Sequence, residues 1–156
     1  MIVSDASPLI VLLKTNKLSI LKEMFEIVIV PTAVYKEITI KEQEKAIFDN
    51  IKWIKTKKIE SNELKIFLEK LVDRGEAEAI ILAKELKMGL IVDDAKARKY
   101  ARHLNVEVIG TLGLLKTAKN RGVITSVQES INDMLAAGYY IEDNLIAKLL
   151  EDVGES

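Results

Sequence analysis

The stretch Gly75 to Asp94, G-E-A-E-A-I-I-L-A-K-E-L-K-M-G-L-I-V-D-D, reads as a helix followed by a short apolar strand, with acids at both ends. Glu76 and Glu78 fall in the first helical turn, Ala79, Ile80, Ala83 and Leu86 repeat at helical spacing, and Gly89 is expected to stop the helix before Leu90-Ile91-Val92. That apolar run ends on Asp93-Asp94. If it is an inner strand of a parallel sheet, its carboxyl end is where such sheets bind ligands, so both aspartates stand at an expected site.

Toward the N-terminus, Ile2-Val3 predicts a short strand ending just before Asp5. Ser7-Pro8 predicts a helix capped by Ser7 with Pro8 at its first position. A helix over Leu18 to Phe25 leads to Ile27-Val28-Ile29-Val30, an apolar run suited to a strand buried on both faces, and Pro31 opens a further helix with Glu37 about one turn from its start. Lys41 to Asn50 reads as helix, Ile51 to Lys55 as an edge or irregular strand, and Ser61 as the cap of a helix through Leu71 with Leu64, Phe67, Leu68 and Leu71 as its apolar stripe.

Beyond Asp94 the pattern predicts a helix, a strand over Val106 to Ile109, and a helix from Gly110-Thr111 to Asn120 ended by Arg121-Gly122. Two amphipathic helices, Ser126 to Ala137 and Ile141 to Leu150, follow. Their apolar positions suit core padding better than a dimer face. Strands alternating with helices imply a three-layer α/β/α domain with a mainly parallel sheet. The whole of 1–156 is expected to be one such domain, with 126–156 as a C-terminal helical extension.

Composition narrows the chemistry. The 156 residues are 49% hydrophobic and 30% charged, which reads as soluble and globular, and no apolar run approaches the roughly 20 residues needed to cross a membrane. The N-terminus is too short and too acidic for a signal peptide, so a cytoplasmic setting and no membrane partner are expected. There is no cysteine and one histidine, His103, on an expected helix surface, which disfavours thiolate, zinc and Ser-His-Asp chemistry. A net charge of -1 means that any attraction for nucleic acid comes from local patches.

What remains is carboxylate. Asp5 and Asp93-Asp94 follow strands, and Glu37 and Glu76 are read in early helical turns, so four acids distant in sequence can meet at one edge of the sheet. Singly, Glu37 and Glu76 read better as helix-start acids, while Asp5 and Asp94, at strand ends, read about evenly as site acids or as ordinary strand-end and capping residues. Together they would repel one another and raise each other's pKa unless a cation joined them, and Mg²⁺ or Mn²⁺ is the natural partner for clustered oxygens.

At these residues the chain resembles the PIN domains, metal-dependent ribonucleases that include toxins of toxin–antitoxin pairs. The resemblance is carried by S-D-A-S-P-L-I, V-P-T-A-V-Y-K-E-I, G-E-A-E-A-I-I-L-A, L-I-V-D-D-A-K-A-R and V-I-G-T-L-G, in that order, over Met1 to Asn120. It implies Asp5, Glu37, Glu76 and Asp94 as the catalytic acids, with Asp5, Asp94, Glu76 and Asp93 toward the metal and Ser7 and Thr111 as nearby hydroxyls. Glu76 stands where many relatives have aspartate. Lys96, Lys99 and Arg102 are candidates for RNA backbone contacts, with a solvated helix face as the other reading. RNA, a candidate antitoxin protein and a second copy of the chain are the expected partners. The competing expectation is a PIN-like module that binds nucleic acid or protein without cutting. A receiver-like or phosphatase-like domain fits less well, because Asp5 does not begin a D-x-D-x-T pattern.

Overall fold

Residues 1–156 are described by a computed structural model with five strands and ten helices. The strands are β1 (Ile2–Ser4), β2 (Val28–Pro31), β3 (Ile54–Lys57), β4 (Leu90–Ile91) and β5 (Val108–Ile109), in the order β3-β2-β1-β4-β5. All four pairings are parallel. Helices pack on both faces, giving the three-layer α/β/α architecture. β1 is central, so its carboxyl end and that of β4 open at the middle of one edge. Asp5 N–H donates to Ile91 O across that pair at 2.9 Å.

The helices are α1 (Ala6–Lys14), α2 (Ser19–Phe25), α3 (Thr32–Ile38), α4 (Glu42–Asn50), α5 (Asn62–Leu68), α6 (Arg74–Leu86), α7 (Ala95–His103), α8 (Thr111–Asn120), α9 (Val127–Ala136) and α10 (Asp143–Asp152). One cluster of 35 buried residues runs through the molecule and takes in Val127, Ile131, Met134 and Leu149 of α9 and α10. Glu155 fastens the C-terminus to them. Its carboxylate accepts from the Val127 and Gln128 amides and from Ser126 Oγ, pairs with Lys119, and is held down to about 2 by these bonds against the cost of desolvation. No helix is long and apolar enough to cross a membrane.

Several local expectations are corrected. α1 begins at Ala6 with Asp5 in the N-cap position, so Ser7 is inside the first turn and Pro8 is the third helical residue. Proline fits there because the first-turn amides have no intrahelical acceptor to lose. Lys87, not Gly89, takes the left-handed conformation that ends α6 (φ 54, ψ 47). β3 lies over Ile54–Lys57, later than expected but at an edge of the sheet. α5 stops at Leu68, and Phe67 is 58% exposed instead of lining the core.

Glu78 ties three helices together. It is buried, its Oε1 accepts from the Ala33 amide at 3.0 Å, and its Oε2 lies 3.0 Å from Lys65 Nζ. Removing the carboxylate leaves the buried Ala33 amide without its acceptor, while Lys65, 27% exposed, keeps Glu69 at 4.0 Å. Glu78→Ala is therefore expected to lower the unfolding free energy by roughly 2 kcal/mol, measured by urea denaturation. A loss below about 1 kcal/mol would show that water replaces the carboxylate without penalty.

Candidate functional site

The parallel sheet delivers acids to its carboxyl edge from three directions. Asp5 ends β1, Asp94 follows β4 and caps α7, and α3 leaves the end of β2 carrying Glu37. Glu37 sits in the last turn of α3, not the first. The fourth contribution is the start of α6, where Asp73 and Glu76 form a capping box: Asp73 Oδ1 accepts from the Glu76 amide at 2.7 Å, and Glu76 Oε1 from the Asp73 amide at 3.1 Å. Asp73 was not among the expected site residues. Its signal was present in D-R-G-E, an acid three residues before a glutamate at a helix start.

Gly75 shows how close these groups come. A Cβ at residue 75 would lie 2.8 Å from Glu37 Oε1, 3.6 Å from Asp5 Oδ1 and 3.6 Å from Asp73 Oδ1. Three carboxylates thus crowd around a backbone bare of side chain. Asp5, only 5% exposed, has its carboxyl pushed up to about 7, chiefly by burial, opposed by a backbone hydrogen bond at Ala6 and reinforced by Glu76, Asp73 and Glu37. Glu76 is also raised to about 7, by burial first, with the Asp73 and Asp94 charges adding to it against the Asp73 backbone bond. Glu37 is raised by burial and by Asp73. No lysine or arginine forms an ion pair with any of the five acids.

The donor set is carboxylate oxygen alone, as a hard divalent cation requires. As the side chains stand, no group of three closes on one ion. Two of the acids are turned onto their helices: Glu76 in the capping box, and Asp94 through Oδ1, which accepts from the Ala97 amide at 2.8 Å. Each bond engages one oxygen, and the second oxygen of each carboxylate remains for a ligand. The residues present therefore fit such an ion in chemistry and charge, with the side-chain ends of Glu37, Glu76 and Asp94 having to turn toward it.

Asp93 is placed differently. Both its oxygens are taken by Thr111, Oδ1 by the amide and Oδ2 by the hydroxyl, each at 2.7 Å, so Asp93 caps α8 from 18 residues away. Thr111 is correspondingly buried and serves Asp93, not the acid cluster. Ser7 is exposed and, with Asp93, Arg98, Tyr139 and Tyr140, lines a cavity of about 690 Å³ between the sheet edge and the C-terminal segment. Lys96, Lys99 and Arg102 are exposed along α7. Only Lys96 stands near the acidic edge; Arg102, eight residues past Asp94 and so roughly 12 Å along the helix, lines a hollow with Asn105 and Glu107 at the opposite end.

A family profile described as a PIN domain matches residues 1–155. No curated protein matches the chain.

Two outcomes follow from this geometry. Asp5 and Glu76 bind protons more tightly folded than unfolded, so their contribution to stability is complete below the ordinary values of 3.8 and 4.5 and is lost as pH rises through about 7. With divalent ions chelated, the melting temperature should fall between about pH 4 and about pH 7, and Asp5→Asn should flatten that fall. A flat wild-type curve in scanning fluorimetry would contradict it. Gly75→Ala would ordinarily stabilise a helix by roughly 0.5–1 kcal/mol. Here the new methyl displaces only the flexible end of Glu37, so the fold is expected to hold while Mn²⁺ affinity, measured by titration calorimetry, drops about tenfold. Unchanged affinity would separate Glu37 from the site.

Proposed function

We propose, because the chain belongs to the PIN domain family, that it is a metal-dependent ribonuclease and the toxin of a toxin–antitoxin pair. PIN domains have a nuclease-like fold and generally use divalent metal ions. The observation that carries the reading is the set of carboxylates around Gly75, with Asp5 buried among them and no cationic side chain paired with any.

In this reading Asp5 and Asp94 hold Mg²⁺ or Mn²⁺, and Glu37 and Glu76 complete the site or orient water. When bound, the ion supplies the Lewis acidity that activates water and offsets charge on the phosphodiester. Asp5 is fixed at the end of the central strand, which gives the site one immobile donor. Glu37 is exposed, so its carboxyl can meet a water entering from solvent. Hydrolysis joins the water oxygen to phosphorus and breaks one P–O ester bond. The proton released by water passes to a carboxylate oxygen of Glu37 or Glu76, and the leaving oxygen takes up a proton from solvent. Lys96 is the α7 cation best placed for a phosphate neighbour.

The rival reading is a PIN module that binds without cutting, and it is favoured by the side chains as they stand, no three of which close on one ion. Single-turnover cleavage of a mixed RNA pool in Mg²⁺ decides between them. Asp5→Asn and Asp94→Asn are each expected to reduce the rate at least about 100-fold with the fold retained by circular dichroism. Equal cleavage by wild type and both variants would remove the enzyme.

A further inference from the structure

The acids are not the only charged assembly on the carboxyl edge. A cleft of about 370 Å³ opens where β2 and β3 end, and Lys36, Lys58, Asn62, Lys65, Arg74 and Glu78 line it. Four of these side chains are cationic and one is anionic. Glu78 is already neutralised at the floor by Lys65, and Arg74 meets Glu69 through Nε at 3.3 Å. Lys36 and Lys58 are exposed, line the cleft and have no carboxylate within ion-pair reach.

The cleft adjoins the acid cluster along two elements at once. Lys36 precedes Glu37 on α3, and Arg74 lies between Asp73 and Gly75 at the start of α6. A polyanion reacting at the acids has further phosphates on either side of the one being cut, and the acids repel them. The cleft is where the local charge reverses. Asn62 adds an uncharged donor at its wall.

We infer that this cleft is a phosphate-backbone subsite for single-stranded RNA, with Lys36 and Lys58 as its main contacts and Arg74 joining from the α6 side. The inference rests on the ribonuclease reading and adds to it the side from which the strand approaches, over β2 and β3 instead of along α7. Its contacts are to phosphate, so it confers affinity without sequence preference.

The test is fluorescence anisotropy of labelled single-stranded RNAs of several sequences on the full chain, in Mg²⁺ across a salt series. Asp5→Asn serves as background to prevent cutting. Adding Lys36→Gln and Lys58→Gln together is expected to weaken binding equally for every sequence and to reduce the slope of log affinity against log salt by about 0.7 per lysine. Lys22→Gln, on α2 at the amino end of β2, should leave both unchanged, and melting curves should show all variants folded. If the Asp5→Asn protein binds RNA and the double variant matches it in affinity and slope, the cleft is not the subsite while the ribonuclease reading stands. If wild type neither binds nor cuts RNA, both fall together. Binding of poly-glutamate lost in the double variant, with RNA binding intact, would reassign the cleft to an acidic protein and overturn the inference.

Discussion

Asp5 is a carboxylate buried at the end of the central strand, beside other carboxylates and without a cationic side chain to answer it. Burial alone is costly for an ionised group, and like charges nearby raise the cost. The surrounding structure contains the arrangements that permit it. β1 lies between β2 and β4, so Asp5 cannot withdraw without breaking the middle of the sheet. Residue 75 has no side chain, which leaves the space that three carboxyl groups share. Glu76 and Asp94 are each steadied by a backbone amide, which holds negative charge at helix starts where the dipole favours it.

Acids elsewhere in the chain show what relief by protein groups looks like. Glu78 has a lysine and an amide, Glu85 accepts from the Glu60 and Ser61 amides, and Glu155 has a lysine, a hydroxyl and two amides. Each of these joins elements distant in sequence, and in each the oxygens are spent on the joint. Asp5 and Glu37 make no such joint. The chain thus uses one residue type for two purposes, and partnering separates them where identity does not.

Much of the architecture was legible because it depends on period and punctuation. The run Ala79 to Leu86 at helical spacing, the unbroken Leu90-Ile91-Val92 and the alternation of strands with helices were enough to give a parallel sheet and to set Asp5 and Asp94 at one edge. What escaped reading depends on geometry that no short window carries. Ser7-Pro8 has the chemistry of a cap and first position, yet β1 hands over to α1 at once, so the cap fell on Asp5. Asp93 and Asp94 are adjacent in sequence, but the N-terminus of α8 claims the first through Thr111 and leaves the second to α7. Lys36, Lys58 and Arg74 come from three separate elements, and only the end of β3 beside β2 brings them together.

The oxygen inventory orders the acids more sharply than proximity does. A carboxylate with both oxygens hydrogen-bonded, as in Asp93, is held in one orientation by a helix terminus and offers an ion only the remaining lone pair of each oxygen. One with a single oxygen committed, as in Asp94, can cap and ligate together, and the cap then fixes the direction from which its second oxygen reaches the site. One with neither committed to another element, as in Glu37, has no hydrogen bond to orient it and feels burial and the Asp73 charge, both of which oppose its ionisation. This gradation gives an open cluster instead of a closed cage: Asp5 buried at the strand end, Asp94 and Glu76 each hydrogen-bonded through one oxygen, Glu37 exposed and unbonded. A hard cation that keeps several of its waters needs few protein donors and an open face, and a site graded in this way supplies both, with the basic cleft beginning at the residues just before Glu37 and Gly75.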